Sequence, residues 1–276
     1  MKNVLDKFRL EGKVVIITGG AGLLGSIHAE AVAEAGGIPI IWDRRGQAAR
    51  QTAKQIADRF KAGALGMKVD ITREGEIKRA CTAVLKWAGR IDVLINNAAC
   101  DPKVKPGQGK ASGRLEDFSP RQWHQEVAVG LTGAFLCSRV LGQVMAKRKS
   151  GVILNISSDL GLIAPDQRIY ERKGLKAGRQ SKKPVTYSVI KHGLIGLTRY
   201  LATYWAGAGI RVNALCPGGV FNDQPREFVK RLTQLIPMGR MARKDEYKAA
   251  VLFLISDASA YMTGSVISVD GGRTCW

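Results

Sequence analysis

Apolar residues in this chain fall into short runs separated by longer amphipathic stretches. Val14–Thr18 (VVIIT) is β-branched with no polar alternation, the pattern of a strand buried on both faces. Glycines follow, then a helical stretch over 26–35 that stops at Gly36-Gly37. The same alternation recurs. Residues 38–42 predict a strand closing on Asp43, 47–60 a helix, 65–69 a strand ending at Asp70, 74–87 a helix, and 91–95 a strand ending at Asn96-Asn97. Further on, 122–145 predicts a helix, 151–156 a strand, 185–205 a helix and 210–215 a strand, with a last helix over 246–254 and a last strand over 265–269. Strands that are apolar on both faces and linked by helices imply an α/β fold, a Rossmann-type doubly wound parallel sheet with right-handed crossovers. No repeat or linker divides the chain, so residues 1–276 are expected to form a single domain. The one break is a basic, glycine-containing insertion at about 166–183 that reads as a long loop, and such loops tend to carry function.

The first strand runs into Thr18-Gly19-Gly20-Ala21-Gly22-Leu23-Leu24-Gly25. Glycines at 19, 22 and 25 let backbone approach a pyrophosphate, and the helix that follows offers N–H groups and the positive end of its dipole. The required context, the first strand–helix junction, is met. Gly19, Gly22, Leu24 and Gly25 are therefore the candidate dinucleotide turn. Asp43, at the end of the second strand, is placed to accept the ribose hydroxyls of an adenosine and to repel a 2′-phosphate, which favours NAD. Arg44 and Arg45 follow at once and keep NADP open as the alternative.

Charge adds a second theme. With 43 Lys and Arg against 23 Asp and Glu, the formal net charge is +20, thickest at 168–183 (RIYERKGLKAGRQSKK). Such a surface attracts anions, whether nucleic acid, an acidic membrane surface or a phosphorylated small molecule. No zinc-finger, RNA-recognition or basic-zipper signature accompanies it, so a solvated basic surface is the simpler reading and no specific nucleic acid is expected. No apolar run reaches the roughly 18 residues of a membrane span, and the start (MKNVLDKFRLEGK) lacks the apolar centre of a signal peptide. Five scattered cysteines without C-x-x-C read as free thiols in a reducing cytoplasm, and His28, His124 and His192 form no metal-ligand pattern, so no metal is expected.

The chemistry centres on Tyr187-x-x-x-Lys191. Residues four apart share one helix face, and an ammonium beside a phenol favours the phenolate. A tyrosine so shifted can exchange a proton with an alcohol or ketone.

Further segments line up in one order: Asp70-Ile71, Asn96-Asn97-Ala98-Ala99, Asn155-Ile156-Ser157-Ser158, Tyr187-x-x-x-Lys191, Arg211-Val212-Asn213, Pro217-Gly218-Gly219-Val220 and Val269-Asp270-Gly271-Gly272. Over nearly its whole length the chain resembles the short-chain dehydrogenases/reductases. The resemblance implies a dinucleotide-binding catalytic domain, an NAD(P)-dependent enzyme interconverting a secondary alcohol and a ketone, and a homodimer or homotetramer. It implies that Asp70 and Ile71 contact the adenine side, Asn97 and Ala98 line the cofactor ribose, and Pro217, Gly218 and Val220 flank the nicotinamide. Ser158 would hydrogen-bond the substrate oxygen, Tyr187 would be the acid or base, and Lys191 would bind the nicotinamide ribose and lower the Tyr187 pKa. Ser157 competes with Ser158 for that role, because strand neighbours face opposite ways.

The chain departs from the family pattern in two places. The glycine spacing is that of the family's extended branch, although the rest matches the shorter branch. In Val129-Gly130-Leu131-Thr132-Gly133 a glycine replaces the Asn of V-N-L-T-G, the residue that usually holds a water in the proton relay. Water filling the space or reduced activity are the two outcomes, and an active enzyme is expected because Ser158, Tyr187 and Lys191 remain. The segment between Ser158 and Tyr187 is longer than is usual, and its basic insertion would lie at the substrate mouth and steer an anion. APDQRIYE (164–171), LTRYLATYWAG (197–207), PGGVFNDQP (217–225) and PMGRMARKDEY (237–247) are similar to a subgroup linked to bacterial nonulosonic (legionaminic or sialic-like) acid and surface-sugar pathways. That resemblance implies a sugar or sugar-phosphate-like substrate. The alternatives are an acyl-thioester or steroid-like carbonyl, or a catalytically weak dinucleotide sensor or nucleic-acid-binding protein.

Overall fold

In the computed structural model, which describes residues 3–100 and 113–276, the strands form one parallel sheet. They are β1 (Val14–Thr18), β2 (Ile38–Asp43), β3 (Leu65–Lys68), β4 (Val93–Asn96), β5 (Gly151–Ile156), β6 (Ile210–Pro217) and β7 (Val266–Val269), in the spatial order β3-β2-β1-β4-β5-β6-β7. The helices are α1 (Leu23–Glu34), α2 (Gly46–Phe60), α3 (Glu74–Ala88), α4 (Pro120–Val127), α5 (Gly133–Lys147), α6 (Val185–Trp205), α7 (Arg226–Thr233) and α8 (Lys248–Ile255). Strand order reverses between β1 and β4, which pair directly through Ile17 and Ile95. That reversal opens a crevice at the carboxyl ends of the strands, where doubly wound sheets bind ligands.

All residues of β1 and β4 are buried, as their unbroken apolar runs require. Side chains alternate between two cores. One holds Ile16, Leu94, Ile153 and Val212 against Cys137, Leu141 and Met145 of α5 and Leu201 of α6. The other holds Val15, Ile17, Leu154 and Leu215 against Val32 of α1 and Val251 and Leu254 of α8. The stretch Pro120–Lys147 is long and apolar enough to cross a membrane, but its apolar face is used in the first of these cores.

The elements differ from the sequence pattern mainly at their ends. Helix α1 begins about a turn earlier than expected, because Gly22 is its extended N-cap. The helix expected over 122–145 is interrupted by a π-turn at Ala128–Thr132 that contains Gly130. The basic insertion is a loop with short 3₁₀ turns at Gln167–Tyr170 and Ala177–Arg179. Buried Gln180 holds it together, accepting from Arg172 N at 2.8 Å and donating to the Arg172 and Leu175 carbonyls at 2.9 and 2.8 Å. All five cysteines are free thiols, and burial pushes that of Cys81 up to about 11.

His28 on α1 is fully buried, and neither ring nitrogen has a hydrogen-bond partner. Burial lowers its pKa from 6.5 to about 4. The folded state therefore holds His28 neutral, and the stability this represents is complete above pH 6.5 and lost as the pH falls through 4. The loss is expected to be about 3 kcal/mol. Urea unfolding at pH 7 and pH 4.5 should show it in the wild type, and His28→Met should remove most of the difference. An equal pH dependence in both proteins would count against this.

Candidate active site

The turn after β1 is built for close backbone approach. Gly19 has φ +61°, and a Cβ there would lie 2.8 Å from Ala98 Cα. A Cβ at Gly25 would overlap the Gly19 carbonyl oxygen. The turn is braced by the β4 loop. Thr18 Oγ1 accepts from the Asn97 and Ala98 N–H groups, both at 3.1 Å, and Asn97 Nδ2 donates to the carbonyls of Thr18 (3.0 Å) and Gly19 (3.2 Å). No described side chain caps α1 and no acidic residue occupies its first turn, so its N–H groups and dipole face the crevice. The N–H groups at the start of α1, beside this tightly packed glycine turn, fit a dinucleotide pyrophosphate.

At the far side of the turn, Asp43 is buried at the end of β2. It accepts from Ala21 N at 3.3 Å, from Arg45 N at 3.0 Å and from Arg45 Nε at 3.2 Å, while Arg45 Nη2 donates to the Ala21 carbonyl at 3.1 Å. Carboxylate and guanidinium thus stand together at the end of β2, beside the glycine turn. Asp70 accepts from Thr72 N and Oγ1 at 3.0 and 2.7 Å. Partial burial works against its charge, but these bonds and Arg73 hold its pKa below the ordinary value. Ile71 beside it is buried.

The candidate residues Ser158, Tyr187 and Lys191 lie just after β5 and on α6. Lys191 is buried, and its Nζ donates to the Ile156 carbonyl at 2.8 Å. Ser157 Oγ donates to the Lys191 carbonyl at 2.7 Å, so this serine is used to bind strand to helix. Ser158 Oγ turns the other way, donating to Asp159 Oδ1 at 2.7 Å and accepting from Leu160 N at 3.2 Å. Lys191 Nζ lies 5.7 Å from the centroid of the Tyr187 ring, and Lys183 Nζ lies 3.7 Å over the same ring. Lys183 comes from the end of the basic insertion. Its backbone is pinned by Gln167, whose Oε1 accepts from Lys183 N at 2.8 Å, and Pro184 then starts α6. The insertion therefore delivers a cation to the face of the tyrosine, where the ring quadrupole attracts it.

The space of the missing Asn is filled by protein. A Cβ at Gly130 would lie 2.7 Å from Ile190 Cγ2 and 3.2 Å from its Cδ1. Ile190, within Tyr187-x-x-x-Lys191, packs against Gly130 where the side chain of an Asn would begin. The π-turn that carries Gly130 persists, and nearby Glu126 accepts from Thr186 Oγ1 and from Gln122 Nε2 to dock α4 on the start of α6.

Pro217 ends β6, and Gly218 packs so closely that a Cβ would lie 2.8 Å from Asp270 Cα. Val220 bridges to Ala242. Gln224 is occupied locally, donating to the Val220 carbonyl at 2.8 Å and accepting from Asn222 N at 2.7 Å. Three residues that pattern alone did not flag complete the site. Buried Tyr247 donates to the Gly218 carbonyl at 3.0 Å, and burial pushes its pKa up. Asp159 and Arg273 form a buried ion pair at 2.7 Å beside Ser158. A charged residue directly after the Ser-Ser pair was the available signal.

This geometry belongs to a recognisable class. A family profile described as "Enoyl-(Acyl carrier protein) reductase" matches residues 21–274. The chain is 32% identical to a D-threitol dehydrogenase of Mycolicibacterium smegmatis, over 97% of this chain and 95% of that protein. It is 32% identical to a galactitol 2-dehydrogenase of Rhizobium johnstonii, over 98% of both. The crystal structure of a gluconate 5-dehydrogenase from Burkholderia cenocepacia in complex with NADP and tartrate superposes with TM-score 0.85 at 29% identity, covering 99% of this chain and 100% of that one. The chain belongs to the short-chain dehydrogenase/reductase family and is an NAD(P)-dependent oxidoreductase acting on CH–OH groups.

The Gly130–Ile190 contact is testable by stability. Gly130→Asn should cost about 1–3 kcal/mol by overpacking. In the Gly130→Asn/Ile190→Ala protein the new carboxamide gains the vacated room, so the double variant should lose at least about 1 kcal/mol less than the sum of the singles. Additive losses in denaturant melts would contradict the packing described.

Proposed function

We propose that this enzyme interconverts a secondary alcohol and a ketone on a polyol or other sugar-like substrate carrying an anionic group. The observation that supports this best is that the basic insertion brings Lys183 onto the ring of Tyr187, whose helix neighbour Lys191 is bonded to the strand end that leads into Ser158. In the oxidative direction Tyr187 takes the hydroxyl proton as its carbon loses hydride; in the reductive direction it returns the proton to the nascent alkoxide. Lys191 and Lys183 favour the phenolate needed for the first of these. Bound NAD(P) supplies the hydride acceptor or donor.

Gly19, Gly22, Leu24 and Gly25 hold the pyrophosphate in this reading. Asp43, Asp70 and Ile71 border the adenosine, Asn97 and Ala98 the ribose, and Pro217, Gly218 and Val220 the nicotinamide. NAD is the first choice because Asp43 is a buried carboxylate at the ribose position. Arg45, paired with it, offsets its repulsion of a 2′-phosphate and keeps NADP within reach. The relatives named above act on a tetritol, a hexitol and a sugar acid, which supports a sugar-like substrate; sugars of nonulosonic acid pathways lie within the same class. An acyl-thioester substrate accords with the profile's description, but the polar insertion disfavours a long apolar tail. Exposed Phe135, Val189, Tyr200 and Tyr204 on α5 and α6 support a homodimer or homotetramer, and the free thiols suit a reducing cytoplasm.

The test follows absorbance of the reduced cofactor with a panel of polyols, sugar acids and phosphorylated polyols against NAD⁺ and NADP⁺. Turnover of at least one is expected, with Tyr187→Phe slower by about 10²–10⁴-fold. Cofactor binding without turnover on any alcohol or ketone would favour the sensor reading instead.

A further inference from the structure

A cavity of about 490 Å³ opens between the basic insertion and α7. Its size lies within the roughly 300–1,000 Å³ of small-molecule sites. Arg168, Arg172 and Lys173 line it from the insertion, and Arg231 and Gln234 from α7 and its C-cap. Neither the glycine turn nor Ser158, Tyr187 or Lys191 borders it. Both walls are fixed. Ile169 of the insertion is buried in a small core with Leu232, Ile236 and Met241, apart from the two cores of the sheet, and the Tyr170 and Phe228 rings meet at 5.6 Å. Arg231 Nη1 donates across the gap to the Arg168 and Glu171 carbonyls. Buried Gln180 borders the same cavity and holds the backbone of Arg172 from both its N–H and its carbonyl.

The charges on these walls do not cancel. The cavity has two carboxylates, Asp166 and Glu171, and each is already engaged. Asp166 chelates Arg168, accepting from its Nε at 2.9 Å and from its Nη2 at 2.7 Å. Glu171 accepts at 3.3 Å from Lys182, which lies outside the cavity lining. Arg172, Lys173 and Arg231 are left with no carboxylate partner among the described residues. Arg172 and Lys173 are exposed, and their side chains make no hydrogen bond among the described residues. Like charges held on one concave surface raise its potential and draw in an anion. Guanidinium forks match phosphate oxygens two at a time, which is why arginine recurs where phosphate is recognised.

We propose that this cavity is a phosphate-binding site, which takes the phosphate monoester of a small polyol through Arg172, Lys173 and Arg231. The polyol part rests on the sugar-like reading of the reacting site; the phosphate part rests on the cavity alone. No covalent bond is made or broken there. A phosphate held from both walls ties the insertion to α7.

The probes are inorganic phosphate and D-glucitol 6-phosphate, titrated by calorimetry into the full chain at fixed ionic strength, with NAD⁺ present in excess to occupy the glycine turn. Saturable binding of both is expected. Arg172→Gln/Lys173→Gln should weaken D-glucitol 6-phosphate by at least about tenfold, the loss of charge-assisted hydrogen bonds. Lys176→Gln/Arg179→Gln removes the same charge from the same insertion but outside the cavity lining, and should stay within about twofold, as screening of more distant charges requires. Equal losses in the two double variants would reduce the site to a general basic surface and overturn the proposal. So would the lack of saturable binding to the wild type up to about 10 mM. If Arg172→Gln/Lys173→Gln does not fold, wild-type crystals soaked in tungstate decide. Anomalous density against Arg172, Lys173 and Arg231 supports the site, and none in the cavity refutes it. Wild-type kinetics identify the source of the phosphate. Inorganic phosphate that raises KM for a phosphorylated alcohol assigns the cavity to the substrate's own phosphate; phosphate that fills the cavity and leaves that KM unchanged assigns it to a separate phosphorylated ligand. Either result supports the site. Phosphate binding without turnover of any polyol, phosphorylated or not, would sink the sugar-like reading alone.

Discussion

A buried ammonium organises the reacting half of this molecule. Lys191 is enclosed by protein, and a charge so placed must be met by oriented oxygen. The Ile156 carbonyl at the end of β5 supplies it, and Ser157 binds back to the Lys191 carbonyl. These two bonds join the strand that carries Ser158 to the helix that carries Tyr187, so the phenol and the serine are set by one constraint. A polar ladder beneath repeats the connection across the sheet. Asn96 donates to Asn155 at 2.8 Å, Asn155 donates to Thr198 at 2.8 Å, and Thr198 donates to the Leu194 carbonyl. All of these groups are buried, and each bond would leave an unpaired partner if broken.

Around this joint, late segments of the chain close the site. The basic insertion ends in Lys183 on the Tyr187 ring. Tyr247 supports the Gly218 carbonyl, and the C-terminal turn inserts Arg273 against Asp159. The missing Asn is answered from the facing helix, since Ile190 of α6 packs against Gly130. Ile190 packs where a Cβ at position 130 would begin, and the cations of Lys191 and Lys183 lie near the Tyr187 ring.

Most of the fold was legible in the sequence because two-sided apolar strands and short glycine punctuation leave few topologies open. The site was legible where chemistry coincides with local order, as in Gly19 to Gly25, Asp43, Ser158 and Tyr187 to Lys191. What could not be read were contacts that depend on tertiary placement. Arg273 looks like one more member of a basic surface until the turn at Asp270 buries it, and Ile190 looks like an ordinary apolar helix position until it faces Gly130. Lys183 likewise stood among many lysines and arginines; only the pinning of its backbone by Gln167 distinguishes it. The π-turn was invisible because its residues have ordinary helical character.

The central claim is that buried Lys191 makes Tyr187 a usable base. It is tested most directly by the pH dependence of kcat/KM for alcohol oxidation in the wild type and in Lys191→Met, with a substrate the wild type turns over. The account expects a wild-type limb below the ordinary phenol value of about 10, displaced upward by at least about one pH unit in the variant, Lys183 retaining part of the effect. A limb at the same pH in both proteins would contradict it.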